Sequence, residues 1–312
     1  MKLVRFKAGT EERIGAIVDG QIIDLAASLT AALAGAGSSS ETAAIEASAR
    51  IPFSMRAFLA TGEAGRQAAK EALNYAAGHP EAAIGLHPVS QSLESVSLLA
   101  PVGDPQKIIC IGQNYRDHCA EQNQPLPERA ILFAKFPSAL NNPGGEIVLP
   151  ALSEQVDYEA ELAFVIGKRA KHVAEADAKE YIAGYMCLND VTARDIQYSD
   201  KQWVRGKTFD TFAPTGPYLL TAEEVADPHD LDISLTLNGE TMQKSNTSNL
   251  IYKIPYLIHN LSQTMTLLPG DIISTGTPGG VGMYSNPQVF LKSGDTVSVI
   301  ISGLGTLTNT VA

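Results

Sequence analysis

The segment VDYEAELAFVI at residues 156–166 constrains the fold more than any other stretch. Its even positions, Val156, Tyr158, Ala160, Leu162, Phe164 and Ile166, are all apolar. Its odd positions open with Asp157, Glu159 and Glu161 before turning to Ala163 and Val165. A period of two is the pattern of a strand with one buried face. The other face then carries three carboxylates side by side, about 6.5–7 Å apart. Like charges that close repel. The row is either rewarded by a divalent cation or left as a solvated strand edge.

Composition narrows the setting. The chain has 312 residues, 45% hydrophobic and 18% charged, enough core for one large domain or two ordinary ones. No apolar run reaches the length of a membrane span, and MKLVRFKAGTEERIGAIVDG at the start has no apolar signal region. A net charge of -11 leaves no basic stripe to neutralise phosphates, which argues against nucleic acid as a partner. Cys110, Cys119 and Cys187 are odd in number and form no CxxC pair. They predict free thiols and a cytoplasmic location.

Taken in order, VRF, IGAIV and QIIDL read as a small β unit, with Asp19-Gly20 as a hairpin turn. Ala, Leu, Glu and Lys then dominate as far as Gly78 and predict two or three helices around the loop Gly37-Ser38-Ser39-Ser40. A linker-like stretch places a domain boundary near residue 100. Beyond it the pattern changes to short strands at KIICIG, residues 131–135, 147–149, 184–188, 231–237, 240–244, 272–275, 296–301 and 306–311. Asn238-Gly239 marks a second hairpin. A helix is predicted over residues 174–181 and an amphipathic one over 250–263. Many strands and few long helices argue for a mainly β domain.

Several groups of residues offer chemistry. If VTARDIQ is helical, Asp190, Arg194 and Gln197 fall at i, i+4 and i+7 on one face. One strand end would then present a carboxylate, a guanidinium and an amide to a single pocket, unless Asp190 is only an N-cap paired with Arg194. His118 and Glu121 at i, i+3 would share a helix face, the arrangement that orients a general base, or else form a solvated surface pair. Cys119 points away from His118, which speaks against a thiol nucleophile. The loop GTPGGVG follows a strand and is rich in N–H groups suited to an anion, but it is not a Walker loop. Lys207 is a lone lysine, and His172 sits in a charged run and reads as a surface residue.

The segments IGQNYRDHCAE, VDYEAELAFVIGK, LNDVTARDIQ, GKTFDTFAPTGP, LNGE and PGDIISTGTPGGVG occur in this order from about residue 103 to the C-terminus. Together they resemble the fumarylacetoacetate hydrolase superfamily, and within it the domain-containing proteins that include acylpyruvate hydrolases and oxaloacetate decarboxylases. KTFDTFAPTGP and FLKSGD resemble the mammalian type-2 subgroup and its bacterial relatives. The resemblance implies a mainly β (α+β) class. A mixed β-roll catalytic domain would span residues 101–312, usually in a homodimer, preceded by a small α/β N-terminal domain over residues 1–100.

The resemblance also implies that Glu159, Glu161 and Asp190 bind Mg²⁺ or Mn²⁺, and an all-oxygen set does suit a hard cation. Asp157 is outside that set and either supports the site or faces solvent. His118 and Glu121 match the catalytic dyad, on a segment that folds over the pocket as a lid. Lys207 matches the lysine facing developing negative charge, and Thr277 the loop threonine near the substrate carboxylate. Arg194 and Gln197 are the further expected substrate contacts. Gln113 stands where several acylpyruvases have an arginine, and Ala213 falls in a variable pocket-lining run. An additional aspartate ligand of the founding hydrolase has no match here, which counts against fumarylacetoacetate itself.

The expected reaction is metal-dependent hydrolysis of a C–C bond in a small 2-oxo or β-diketo acid, of the acylpyruvate or fumarylpyruvate type. Oxaloacetate decarboxylation and 2-hydroxydienoate isomerisation are the alternatives on the same scaffold. A non-catalytic metal-binding protein is a third class. The intact dyad, lysine and carboxylates argue against it.

Overall fold

Asp19 and Gly20 have φ of 47° and 77°, and Asn238 and Gly239 have 53° and 85°. Positive φ at both central residues folds adjacent strands into two-residue hairpins. Val18 accordingly pairs with Gln21, and Leu237 with Glu240. The computed structural model describes residues 1–312.

The Ala-rich region forms four helices, Leu25–Gly35, Ser40–Arg50, Met55–Ala60 and Glu63–Gly78, where two or three were expected. Caps make the extra breaks. The side chains of Asp24, Ser39 and Ser54 each accept a backbone N–H from the first turn. Residues Glu175–Tyr181 are a 3-10 helix, and the amphipathic helix runs Ile254–Thr264, with Pro255 in its first turn. No helix is long and apolar enough to cross a membrane.

The strand expected over residues 156–166 is interrupted. Val156–Asp157 pairs with Thr192–Ala193, Tyr158 and Glu159 leave the ladder, and Ala160–Ile166 enters a large mixed sheet. There it lies antiparallel to Ile182–Asn189 on one side and Ile272–Ser274 on the other. Ile108–Gly112 follows, parallel to Ile272–Ser274, and then Ile131–Lys135. In the other direction come Ala213–Thr221 and the N-terminal strands Lys2–Ala8, Glu11–Val18 and Gln21–Asp24. Leu3 pairs with Leu219, so one hydrogen-bonded sheet runs across the sequence division near residue 100.

A second sheet has the order Glu146–Ile147, Gly305–Val311, Thr296–Ile301, Asp232–Leu237, Glu240–Asn246. Leu162, Phe164 and Ile166 share a core with Ile233, Leu235, Val297 and Val299 of this sheet. On the opposite face Ala163 and Val165 share a core with Leu25, Leu29, Phe58, Ala68 and Ala72 of the helices. All of Ala160–Ile166 is buried, which corrects the one-sided exposure read from its alternation. Each large aliphatic side chain so enclosed contributes ~1.5–3 kcal/mol. The result is the expected strand-rich α+β class.

Pairing of Ala160 with Asn189, Ala163 with Ser274 and Ser274 with Cys110 brings four strand termini to one edge of the sheet. The chain leaving that edge carries Asp190, Thr275-Gly276-Thr277 and Gln113.

Candidate active site

Glu159, Glu161 and Asp190 are buried, and one carboxylate oxygen from each lies within 4.8 Å of the others. Their electrostatic partners are unequal. Lys207 Nζ bonds both Glu159 Oε2 at 2.7 Å and Asp190 Oδ2 at 2.9 Å. Lys135 Nζ bonds Asp190 Oδ1 at 2.6 Å, and Arg194 Nη1 lies 2.8 Å from Glu159 Oε1. Glu161 has no cation in contact. It accepts instead from the Ser274 hydroxyl and the Gly276 N–H.

The pKa directions follow these partners. Burial pushes Glu159 up, but Lys207 and Arg194 outweigh it and bring it to about 2. Burial, then Asp190 and Glu159, push Glu161 well above the ordinary carboxylate range. Burial lowers Lys207, but Asp190 and Glu159 outweigh it and raise it. Glu161 is therefore the one acid of the trio that protein cations do not hold in its charged form. An all-oxygen set with one carboxyl left without a cationic partner fits a hard divalent cation.

Asp157, left between two readings by its position, is fully buried and supports the site. Its oxygens accept from Arg194 Nε at 2.8 Å and from the Gly282 and Met283 N–H groups at 2.8 and 3.0 Å. Arg194 is thereby fixed against the carboxylates, while its Nη2 has no partner. The route to this arrangement differs from the sequence reading. The helix Arg194–Ser199 begins only at Arg194, so Asp190 is not on its face. The segment 190–193, which includes the Thr192–Ala193 strand, instead delivers Asp190 beside Lys207.

His118 and Glu121 lie on the helix Arg116–Glu121, with Nδ1 3.1 Å from Glu121 Oε2. Glu121 Oε1 accepts the Gly280 N–H at 2.8 Å. The helix is tied down by Asp117, which accepts from Ser245 at 2.5 Å and from Asn249 at 3.3 Å. Gly280 has φ of 99°, and a Cβ there would lie 2.2 Å from the Met242 carbonyl. Only glycine serves at that position. Three of the loop's N–H groups thus go to protein carboxylates, Glu121, Glu161 and Asp157.

His118, Glu159, Glu161, Arg194, Gln197, Lys207 and Thr277 line one cavity of about 210 Å³. Asp190 and Glu121 sit behind it, each holding a lining side chain. Ala213 is buried in a strand pair with Leu140 and does not line the cavity, which corrects its expected place. Cys119 is fully buried, and His172 is exposed as expected.

Sequence reasoning missed three contributors. Lys135 ends a strand as an inconspicuous ILFAK. Gln243 bonds the Ala160 N–H, the Thr277 hydroxyl and the Pro278 carbonyl, tying three segments together. Gln122 lies against His118. Buried amides and lysines of this kind carry no periodic signal, because their partners are distant in the chain or idiosyncratic.

The fold and this cluster place the chain among enzymes of a single family. The family model described as "Fumarylacetoacetate (FAA) hydrolase C-terminal" matches residues 107–312, and the chain belongs to that family. It is 48% identical over 263 residues to the mitochondrial oxaloacetate tautomerase of Xenopus laevis, covering 84% of this chain and 79% of that protein. A human mitochondrial oxaloacetate tautomerase is 47% identical, covering 84% and 80%. Among solved structures, maleylpyruvate hydrolase from Sphingobium sp. SYK-6 in complex with manganese (II) ion and pyruvate is similar, with TM-score 0.75 and 33% identity. That match covers 100% of this chain and 99% of the hydrolase. The cytoplasmic expectation is overturned by the mitochondrial location of the tautomerases. Free cysteines point to a reducing environment and do not by themselves name the compartment.

Proposed function

We propose that this chain is a divalent-cation-dependent enzyme of small 2-oxo acids whose reaction is keto–enol proton transfer on oxaloacetate or a close analogue. The observation that carries the reading is one small cavity holding the carboxylate trio, Arg194, Lys207 and an oriented histidine. The unpartnered Nη2 of Arg194 receives the substrate carboxylate. The Thr277 hydroxyl accepts from Gln243, which leaves its own hydrogen to donate to the substrate. Lys207 faces the negative charge that develops on the keto oxygen. His118, with Nδ1–H on Glu121, takes and returns the proton at Nε2 once the substrate displaces the Gln122 amide there.

Glu159, Glu161 and Asp190 would hold Mg²⁺ or Mn²⁺, and the lack of a cationic partner for Glu161 supports that assignment. When bound, the cation supplies Lewis-acid stabilisation of enolate charge worth several kcal/mol. The names of the two animal relatives support oxaloacetate as the substrate.

A second reading is hydrolysis of a C–C bond in an acylpyruvate- or fumarylpyruvate-type acid, supported by the likeness to maleylpyruvate hydrolase. There His118 would draw its proton from water attacking the distal carbonyl. Oxaloacetate decarboxylation needs no such water. The deciding experiment follows the enol absorbance of freshly dissolved oxaloacetate with Mg²⁺ or Mn²⁺, beside pyruvate release from oxaloacetate and from an acylpyruvate. Ketonisation faster than the metal-only control supports the first reading. Equal rates, with acylpyruvate cleavage above control, replace it by the second.

A homodimer is part of the same proposal, supported by the exposed apolar side chains Phe136, Val148 and Leu152 within residues 136–152. Light scattering at micromolar concentration tests it.

A further inference from the structure

A line of hydrogen bonds runs through His118 and continues beyond the dyad. Glu121 as a carboxylate can only accept, so the proton between it and His118 lies on Nδ1. In the neutral ring Nε2 is then a lone pair and needs a donor. Gln122 Nε2 lies 2.6 Å from it, and Gln122 Oε1 in turn accepts from Gln113 Nε2 at 3.2 Å. Only one direction satisfies every atom: Gln113 donates to Gln122, Gln122 to His118, and His118 to Glu121.

The backbone is built to hold this line. Gln122 caps the helix Arg116–Glu121, its N–H bonded to the His118 carbonyl, which places its side chain over the ring. Gln113 has φ of 52°, a left-handed conformation that costs a non-glycine residue ~1–2 kcal/mol. That conformation is clamped by Asn114, whose side chain bonds the backbone of Tyr252 and Thr275. Strain held in place beside a cavity, in a residue that lines it, is the mark of a positioning role.

We infer that Gln113 and Gln122 are positioning residues that hold His118 in its Nδ1–H form with a free lone pair on Nε2. Gln113 decides which end of the Gln122 amide faces the ring, and the amide decides whether Nε2 is a lone pair or carries hydrogen. The inference rests on His118 as the proton-transferring base, but its primary readout does not. A carboxylate at position 113 can only accept, so the Gln122 amide would turn over, donate to it, and present Oε1 to His118. Nε2 must then carry hydrogen while Glu121 keeps the one on Nδ1, so the ring is held as the imidazolium and the lone pair needed for proton uptake is gone. A guanidinium at position 113 can only donate, so it keeps the amide as it stands.

The test compares Gln113→Glu with Gln113→Arg, alongside the wild-type protein. Imidazole nitrogen NMR reads the His118 tautomer, and oxaloacetate turnover reads kcat and KM. The expected result for Gln113→Glu is hydrogen on Nε2 and a kcat lower by at least ~10²-fold, the range for losing a positioned base. Gln113→Arg should retain the Nδ1–H form and at least tenfold more kcat than Gln113→Glu. Should Gln113→Glu fail to fold, Gln122→Glu faces the ring with a carboxylate directly and should show both nitrogens protonated. A ring still protonated at Nδ1 alone, in a folded Gln113→Glu protein or in Gln122→Glu, overturns the inference. A protonated Nε2 with unchanged kcat upholds the relay and rejects His118 as the base.

Discussion

Lys135 Nζ lies 2.6 Å from Asp190 Oδ1, and neither side chain has any exposure to water. Lys135 also donates to the Val191 carbonyl at 3.0 Å, so the lysine holds the whole turn that carries Asp190. Removing one member of a buried pair leaves the other charge stranded, at a cost of ~3–5 kcal/mol. Lys135→Met is therefore expected to lower the unfolding free energy by that order, measured in urea without added metal. The double substitution with Asp190→Asn should recover part of the loss. A single-mutant loss under ~1 kcal/mol would show that Lys207 alone suffices for Asp190.

Glu161 should behave in the opposite way. Its folded pKa is raised by burial and by Asp190 and Glu159. Its contribution to stability is thus fully present below its unfolded pKa and lost as pH rises through the higher folded value. At neutral pH, Glu161→Gln is expected to leave the metal-free protein as stable as wild type or more so. The stabilisation by Mn²⁺, which for wild type reaches ~2.7 kcal/mol at a hundredfold excess over Kd, should vanish. Thermal melts with chelator and with Mn²⁺ check both halves. A variant that still gains the wild-type shift removes Glu161 from the ligand set.

His118→Ala is expected to separate the candidate reactions. Proton transfer and acylpyruvate hydrolysis both need the base and should fall ~10²–10⁴-fold in kcat/KM. Oxaloacetate decarboxylation leans on Lys207 and the cation and should suffer less. Measuring all three under identical Mg²⁺ decides. If ketonisation and hydrolysis both survive within about threefold, far short of that loss, His118 has another role.

His229 offers a pH test away from the cavity. Its Nε2 accepts the Ile254 N–H at 3.1 Å, the start of the helix Ile254–Thr264. Burial, then Lys253, hold its pKa below the ordinary histidine value. A histidine with a lowered folded pKa contributes stability that is present above its unfolded pKa of ~6.5 and lost as pH falls below it. His229→Gln keeps an acceptor without a titration. Between pH ~7.5 and ~5.5 the wild type should lose more unfolding free energy than the variant. Parallel losses would mean the ring is free to charge in the folded state.

How much of this was legible depended on how local each constraint is. The two hairpins were readable because a two-residue turn needs positive φ at adjacent positions, which Asp-Gly and Asn-Gly supply. The Val156-to-Ile166 alternation was readable as a strand but not as a broken one. Tyr158 and Glu159 leave the ladder for partners supplied from other segments, Asn189 among them. Asp190 and Arg194 lie in one cluster, but not through the expected shared helix face, since the helix begins four residues after Asp190. Lys135, Gln122 and Gln243 were invisible because a polar residue gains meaning only from the groups that folding sets beside it.

Ala163 and Val165 follow Glu161 on its own strand, and their side chains form the roof over the N-terminal helices. Opening those helices would unpack the back of the strand that carries the carboxylate. A ligand that binds only the packed form must then raise the free energy of that opening by its own binding free energy. The relation is reciprocal, so whatever loosens Leu29, Phe58 or Ala68 weakens the ligand by the same amount. The N-terminal unit, which contributes no residue to the cavity, thus holds a thermodynamic handle on it.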